Sequence, residues 1–158
     1  MTTSALTQVL YLFDDAFSGD DWQSLLTNLS SVTPGEWERV PPGARRSIRY
    51  IVRHVGASKY IYQNHAFGDA SFTWEGLHEV GDRHVETISG ALAWLREGHE
   101  KLRAGIAALK DDEELLRPRL SPFDGPQETR WIIARMMQHD LYHAGEINHI
   151  RALCRQDD

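Results

Sequence analysis

The sequence predicts an all-α protein, a four-helix bundle formed by a single domain over residues 1–158. Three observations carry that prediction. Apolar residues recur at spacings of three and four in four separate segments, strand-like alternation is scarce, and the breaks between segments hold Pro and Gly. Four amphipathic helices bury their stripes most economically against one another.

The first segment begins near Ser4, with Leu6, Val9, Leu10, Phe13 and Phe17 on one side, and Gly19 breaks or bends it. "DDWQSLLTNLSS" continues as a second helical piece with Trp22, Leu25, Leu26 and Leu29 on its apolar side, and "TPGEW" and "VPPG" mark a loop from about 33 to 43. The second long segment runs from about Ala44 to Ala66 on Ile48, Ile51, Val52, Val55, Ile61 and Tyr62. The third runs from about Asp82 to Lys110, on a regular seam of Val85, Ile88, Leu92, Leu95, His99, Leu102, Ile106 and Leu109. The fourth runs from about Glu128 to Arg155, with Ile132, Met136, His139, His143, Ile147, Ile150 and Cys154 in its stripe. The connection "FGDASFTWEGLHEVG", between the second and third long segments, is long enough to cross one end of a bundle, and its aromatics are expected to pack.

A net charge of -6 and a pI near 5.7 argue against nucleic acid or an anionic membrane as the main partner, since both require a basic face. Arg45, Arg46, Arg49 and Arg53 are the local exception, read as a solvated helix face, with a small anion-binding patch as the alternative. A lone cysteine, Cys154, excludes an intrachain disulfide, suits a reducing cytoplasm, and continues an apolar stripe, so it is expected as a small core residue. "MTTSALTQVL" has neither a basic region nor a long apolar run, so no signal peptide is expected, and no stretch is apolar enough for a membrane span.

Eight histidines are present. In "HDLYH", His139 and His143 lie one helical turn apart in the middle of an apolar stripe. Burying two imidazoles side by side leaves ring nitrogens unpaired, at roughly 1–3 kcal/mol each. A shared divalent cation removes that cost, because neutral imidazole is the ligand form. The alternatives are a solvent-facing pair, or core histidines bonded to carbonyls. A third ligand is expected from His54, which has the small residues Gly56 and Ser58 beside it, with His99 of the third seam as rival. His65, His78, His84 and His149 read as polar surface residues. Three imidazoles plus open positions suit a catalytic ion rather than a structural one.

Glu146, one turn after His143, is a candidate to hold that imidazole or a water beside it, or else pairs with an arginine of a nearby helix. Asp140 stands where the zinc-protease pattern HExxH has its glutamate, but it is a methylene shorter and no sheet is evident, so support of the histidines or plain solvation is expected instead. Tyr50, Tyr60, Tyr62 and Tyr142 either line a pocket or pack.

"RSIRYIVRHVGASKYIYQNHAFG" and "MMQHDLYHAGEINHIRAL" together resemble the DinB-like superfamily of four-helix bundle metalloproteins. That family has one histidine in its second helix and a pair four apart in its fourth, followed by a small-Gly-polar-Ile run. His54, His139, His143 and "AGEI" fall on those places. Glu146 stands where the family usually has Gln, and Tyr142 where it often has a second His. The resemblance implies an up-down-down-up bundle and one divalent ion (zinc, nickel or iron) on His54, His139 and His143. It also implies a thiol S-transferase using a low-molecular-weight thiol such as mycothiol, bacillithiol or glutathione. The other readings are a metal-dependent hydrolase and a non-enzymatic stress-response bundle that binds metal or ligand. The expected partner is a small-molecule substrate, and a homodimer is allowed.

Overall fold

The computed structural model describes residues 3–20 and 22–156. Among them the chain forms α1 (Ser4–Ser18), α2 (Leu25–Leu29), α3 (Pro34–Glu38), α4 (Ile48–Phe67), α5 (Trp74–His84), α6 (Ile88–Ala107), a 3-10 turn (Asp112–Leu116), β1 (Pro118–Ser121), β2 (Gly125–Glu128) and α7 (Thr129–Gln156). The protein is all-α apart from one small antiparallel hairpin, β1–β2, which pairs Pro118 with Glu128 and Ser121 with Gly125.

The four long helices pack in a ring: α4 lies against α6 and α7, and α1 lies against the same two. Their apolar stripes meet in one core cluster, in which Phe13, Ile51, Leu95, Leu102, Ile132 and Met136 are almost wholly buried. Cys154 is part of it. No helix among the described residues is long and apolar enough to cross a membrane.

Local chemistry sets the helix boundaries. Thr33 and Glu36 form a reciprocal capping box that starts α3, with Pro34 in its first turn. Ser47, Thr73 and Thr87 each accept a hydrogen bond from the third following N–H, and so start α4, α5 and α6. These caps correct the sequence reading in three places. Arg45 and Arg46 precede α4 rather than lying on it. Residues 82–87 form the end of α5 and a break, so the third long helix begins at Ile88. The long connection contains a helix, α5, where a loop was expected.

Two smaller corrections concern residues 20–43. "DDWQSLLTNLSS" contributes only the short α2, and its Asp21 lies outside the described residues. Trp22 is 84% exposed rather than on an apolar side. Its backbone N–H and that of Gln23 both donate to the Asp20 carboxylate, which holds this stretch in a turn before α2.

Gly56 does not make room beside His54. The ring of Trp94 takes that space: a Cβ on Gly56 would collide with it, and one on Gly81 would sit 2.8 Å from it. Two glycines thus let α4 and α5 close onto the same indole of α6. The hairpin is anchored by Arg119, which donates to the Ala66 carbonyl at 3.3 Å, to Glu114 at 3.2 Å and to Thr129 at 3.1 Å, and stacks on Phe67. This anchorage carries Phe123, in the hairpin turn, to the rings of Trp74 and Tyr62.

The ring encloses one buried ion pair. Lys59 of α4 donates to Asp140 of α7 at 2.6 Å, with both side chains 1% exposed. Lys59 also lies 4.7 Å from the Phe17 ring centre. Burial pushes the Asp140 carboxyl up, and the Lys59 ammonium pulls it back. Solvation of Asp140 is therefore excluded. Removing one member of such a pair strands the other in the core. Lys59→Met is expected to lower stability to urea by about 3–5 kcal/mol, and the Lys59→Met/Asp140→Leu double variant to recover most of it.

Candidate metal centre

His54 lies in the second turn of α4, flanked by buried Ile51, Val52 and Val55. His139 and His143 lie one turn apart on α7, which packs against α4. This packing brings three ring nitrogens together. The Nε2 atoms of His54 and His139 are 2.9 Å apart, and those of His139 and His143 are 3.2 Å apart. One ligand atom from each ring lies within 4.8 Å of the others. His143 is 2% exposed, while His54 and His139 are half-buried, so solvent reaches part of the group.

Protons alone do not satisfy this arrangement. His143 donates from Nδ1 to Glu146 Oε2 at 2.8 Å, which leaves a lone pair on its Nε2. A neutral His139 Nε2 carries either a proton or a lone pair. It therefore cannot accept from His54 and also donate to His143. Divalent-ion geometry fits the spacing better. With metal–nitrogen bonds of about 2.0–2.1 Å, ligand nitrogens sit about 2.9 Å apart at a right angle and about 3.4 Å apart at a tetrahedral angle. The observed separations lie in that interval.

Electrostatics keep the rings neutral. Burial, reinforced by His143, pushes His54 down to about 4 and His139 down to about 2. Burial also lowers His143, against the pull of Glu146. All three are then in the ligand form at neutral pH.

Glu146 bonds the His143 imidazole and also pairs with an arginine, Arg46, which precedes α4 rather than lying on a helix. One carboxylate accepts from His143 and also accepts two hydrogen bonds from Arg46, from Nε at 2.7 Å and from Nη2 at 3.0 Å. Burial alone would raise the Glu146 carboxyl, but Arg46 and His143 together hold it below its ordinary value. A chain of Arg46, Glu146 and His143 thus fixes the orientation of one imidazole. Asp140, by contrast, faces Lys59 and has no hydrogen bond to either histidine.

The remaining histidines divide clearly. His99 is not in the group: its ring is sandwiched between Phe13 and Phe17, and its Nε2 lies 3.1 Å from Asp14. His65 is half-buried rather than on the surface, and bonds the Ile61 carbonyl through Nδ1. His84 and His149 are exposed as expected. His78 is a correction: it is half-buried, packs on Trp74 at 4.4 Å, and has a buried Nε2 without a partner among the described residues. Trp74 in turn meets His54 edge-on at 5.4 Å. The sequence reading missed Trp74 as a wall of the site because it took that stretch for a loop.

A cavity of about 670 Å³ is lined by Val40, Arg45, Arg46, Ser47, Tyr50, Tyr142 and Glu146. None of the three imidazoles is in that lining, and Glu146, which bonds His143, connects the two. Tyr142 meets the His143 ring edge-on at 5.0 Å. Of the four tyrosines considered from sequence, Tyr50 and Tyr142 line this cavity, while Tyr60 and Tyr62 are buried. Glu146→Gln keeps the shape of the side chain but removes the charge that holds Arg46 and His143. The variant is expected to bind a divalent ion about 10–100-fold more weakly, measured by competition with a chromophoric chelator, with helical content unchanged.

No curated protein matches the chain. The DinB superfamily matches it over residues 19–147, a span that contains His54, His139, His143 and Glu146, and the chain belongs to that superfamily.

Proposed function

We propose that His54, His139 and His143 hold one divalent cation (zinc, nickel or iron) in a catalytic site, and that the protein is a metal-dependent enzyme of the thiol S-transferase type, with a low-molecular-weight thiol as co-substrate. The observation that carries this reading is the convergence of three imidazole nitrogens, two of them on half-buried rings, with no fourth His, Cys, Asp or Glu among the described residues joining them. A structural ion is normally enclosed by four protein ligands, and a catalytic one keeps a position free.

A divalent ion in such a site lowers the pKa of a thiol or water that reaches it, and so supplies a nucleophile at neutral pH. The chain's own residues supply the rest. Glu146 keeps the proton of His143 on Nδ1, and Arg46 keeps Glu146 ionised and in place. Trp74 walls the site beside His54, and Tyr142 beside His143, limiting the access of water. The long connection between α4 and α6 allows these neighbours to run parallel, which supports the up-down-down-up order. A single buried cysteine supports a cytoplasmic setting.

Metal analysis of the purified protein is expected to find about one equivalent of divalent ion, lost in His143→Ala and kept in His99→Ala. Full metal content in His143→Ala would overturn the ligand assignment. A panel of low-molecular-weight thiols with an electrophilic acceptor then tests the reaction class. Metal-dependent consumption of both is expected. A metal-loaded protein inert with every thiol would instead favour hydrolysis or non-enzymatic metal binding.

A further inference from the structure

The cavity lined by Glu146 and Tyr142 has a charge pattern of its own. Four arginines lie between residues 45 and 53, and three are engaged. Arg46 holds Glu146 through two hydrogen bonds, Arg49 pairs with Glu38 at 2.9 Å, and Arg53 pairs with Asp82 at 2.6 Å. Arg45 is exposed, lines the cavity, and has neither an ion pair nor a hydrogen bond among the described residues. Glu146 is the one acidic side chain of the lining, and Arg46 already neutralises it. One guanidinium is therefore left over.

Its setting adds to that surplus. Arg45 and Ser47 sit immediately before the 20-residue helix α4, whose N-terminus carries a partial positive charge. The volume, about 670 Å³, falls within the range of small-molecule sites, roughly 300–1,000 Å³. Tyr142 offers a flat aromatic face and a hydroxyl group, while the Tyr50 ring already carries the Arg53 and Arg46 guanidiniums at 4.9 and 5.7 Å. A guanidinium presents parallel N–H donors that match the two oxygens of a carboxylate.

We propose that this cavity binds a carboxylate-bearing small molecule, with Arg45 pairing its carboxylate and the other end of the molecule directed toward His143. Arg45 is then the residue that selects anionic over neutral ligands. The pairing stands on the cavity and its unpaired arginine. The direction of the reactive end rests on the reading of the triad as the reacting centre.

Benzoate and benzamide test this, being nearly equal in shape and different in charge. Their affinities are measured by ligand-observed NMR titration, on the protein as purified and again after treatment with a chelator. Benzoate is expected to bind about tenfold more tightly than benzamide in both states, and Arg45→Ala to bring benzoate down to the level of benzamide. Arg45 is exposed and makes no contact that folding depends on, so the variant is expected to keep the wild-type melting temperature. Equal affinities in the wild type would overturn the proposal. A preference that survives Arg45→Ala and vanishes with chelator would also overturn it, assigning the carboxylate to the metal ion and leaving the metal reading intact. A preference lost in Arg45→Ala, in a protein that binds no metal, would uphold the cavity assignment while the metal reading falls.

Discussion

Three imidazoles share one small space where α4 packs against α7, and the site follows from that constraint. Neither helix is free to move away. α7 carries Ile132, Met136, Ile147 and Ile150 in the core, and α4 carries Ile48, Ile51, Val52 and Val55. Burying such side chains stabilises the fold by about 1.5–3 kcal/mol each. That apolar packing greatly outweighs the cost of crowding three polar rings. The core therefore holds the nitrogens at 2.9 and 3.2 Å whether or not protons suit them. The fold itself thus brings the three nitrogens together.

Two carboxylates of α7 show how burial divides labour. Asp140 and Glu146 each face a cation from the α4 region. Asp140 meets Lys59 in the interior, where both are 1% exposed and no solvent screens them. That pair joins α4 to α7 one residue away from His139. Glu146 meets Arg46 at the rim, where its side chain is 23% exposed. There the same carboxylate reaches the His143 imidazole on one side and a cavity on the other. The first pair fixes how the helices meet. The second joins the triad to the lining of the cavity.

Much of this was legible in the sequence. Three-four spacing located the four long helices, and two histidines in the middle of an apolar stripe marked the half-site on α7. His54 was singled out for the small residues Gly56 and Ser58 beside it, although the Trp94 ring fills the space at Gly56. The parts that were not legible depend on side chains distant in sequence. Val85 and Ile88 continue the apolar spacing across the break before α6, so periodicity runs straight through it, and only the Thr87 cap marks the boundary. The hairpin relies on Arg119 reaching Ala66, Glu114 and Thr129, contacts that no local pattern announces. Asp140, off the histidine face, read as a support for the histidines or as solvated, yet α7 is covered on more than one side and Asp140 pairs there with Lys59. The four arginines looked alike until their partners separated Arg45 from the rest.

The central claim is that His54, His139 and His143 hold one divalent ion and leave part of its coordination open. X-ray absorption fine structure of the zinc-loaded protein tests it most directly. The account predicts three imidazole nitrogens at about 2.0–2.1 Å, together with at least one exchangeable light-atom ligand that an added thiol replaces with sulfur at about 2.3 Å. Fewer than three imidazoles, or a fourth protein ligand that thiol fails to displace, would contradict it.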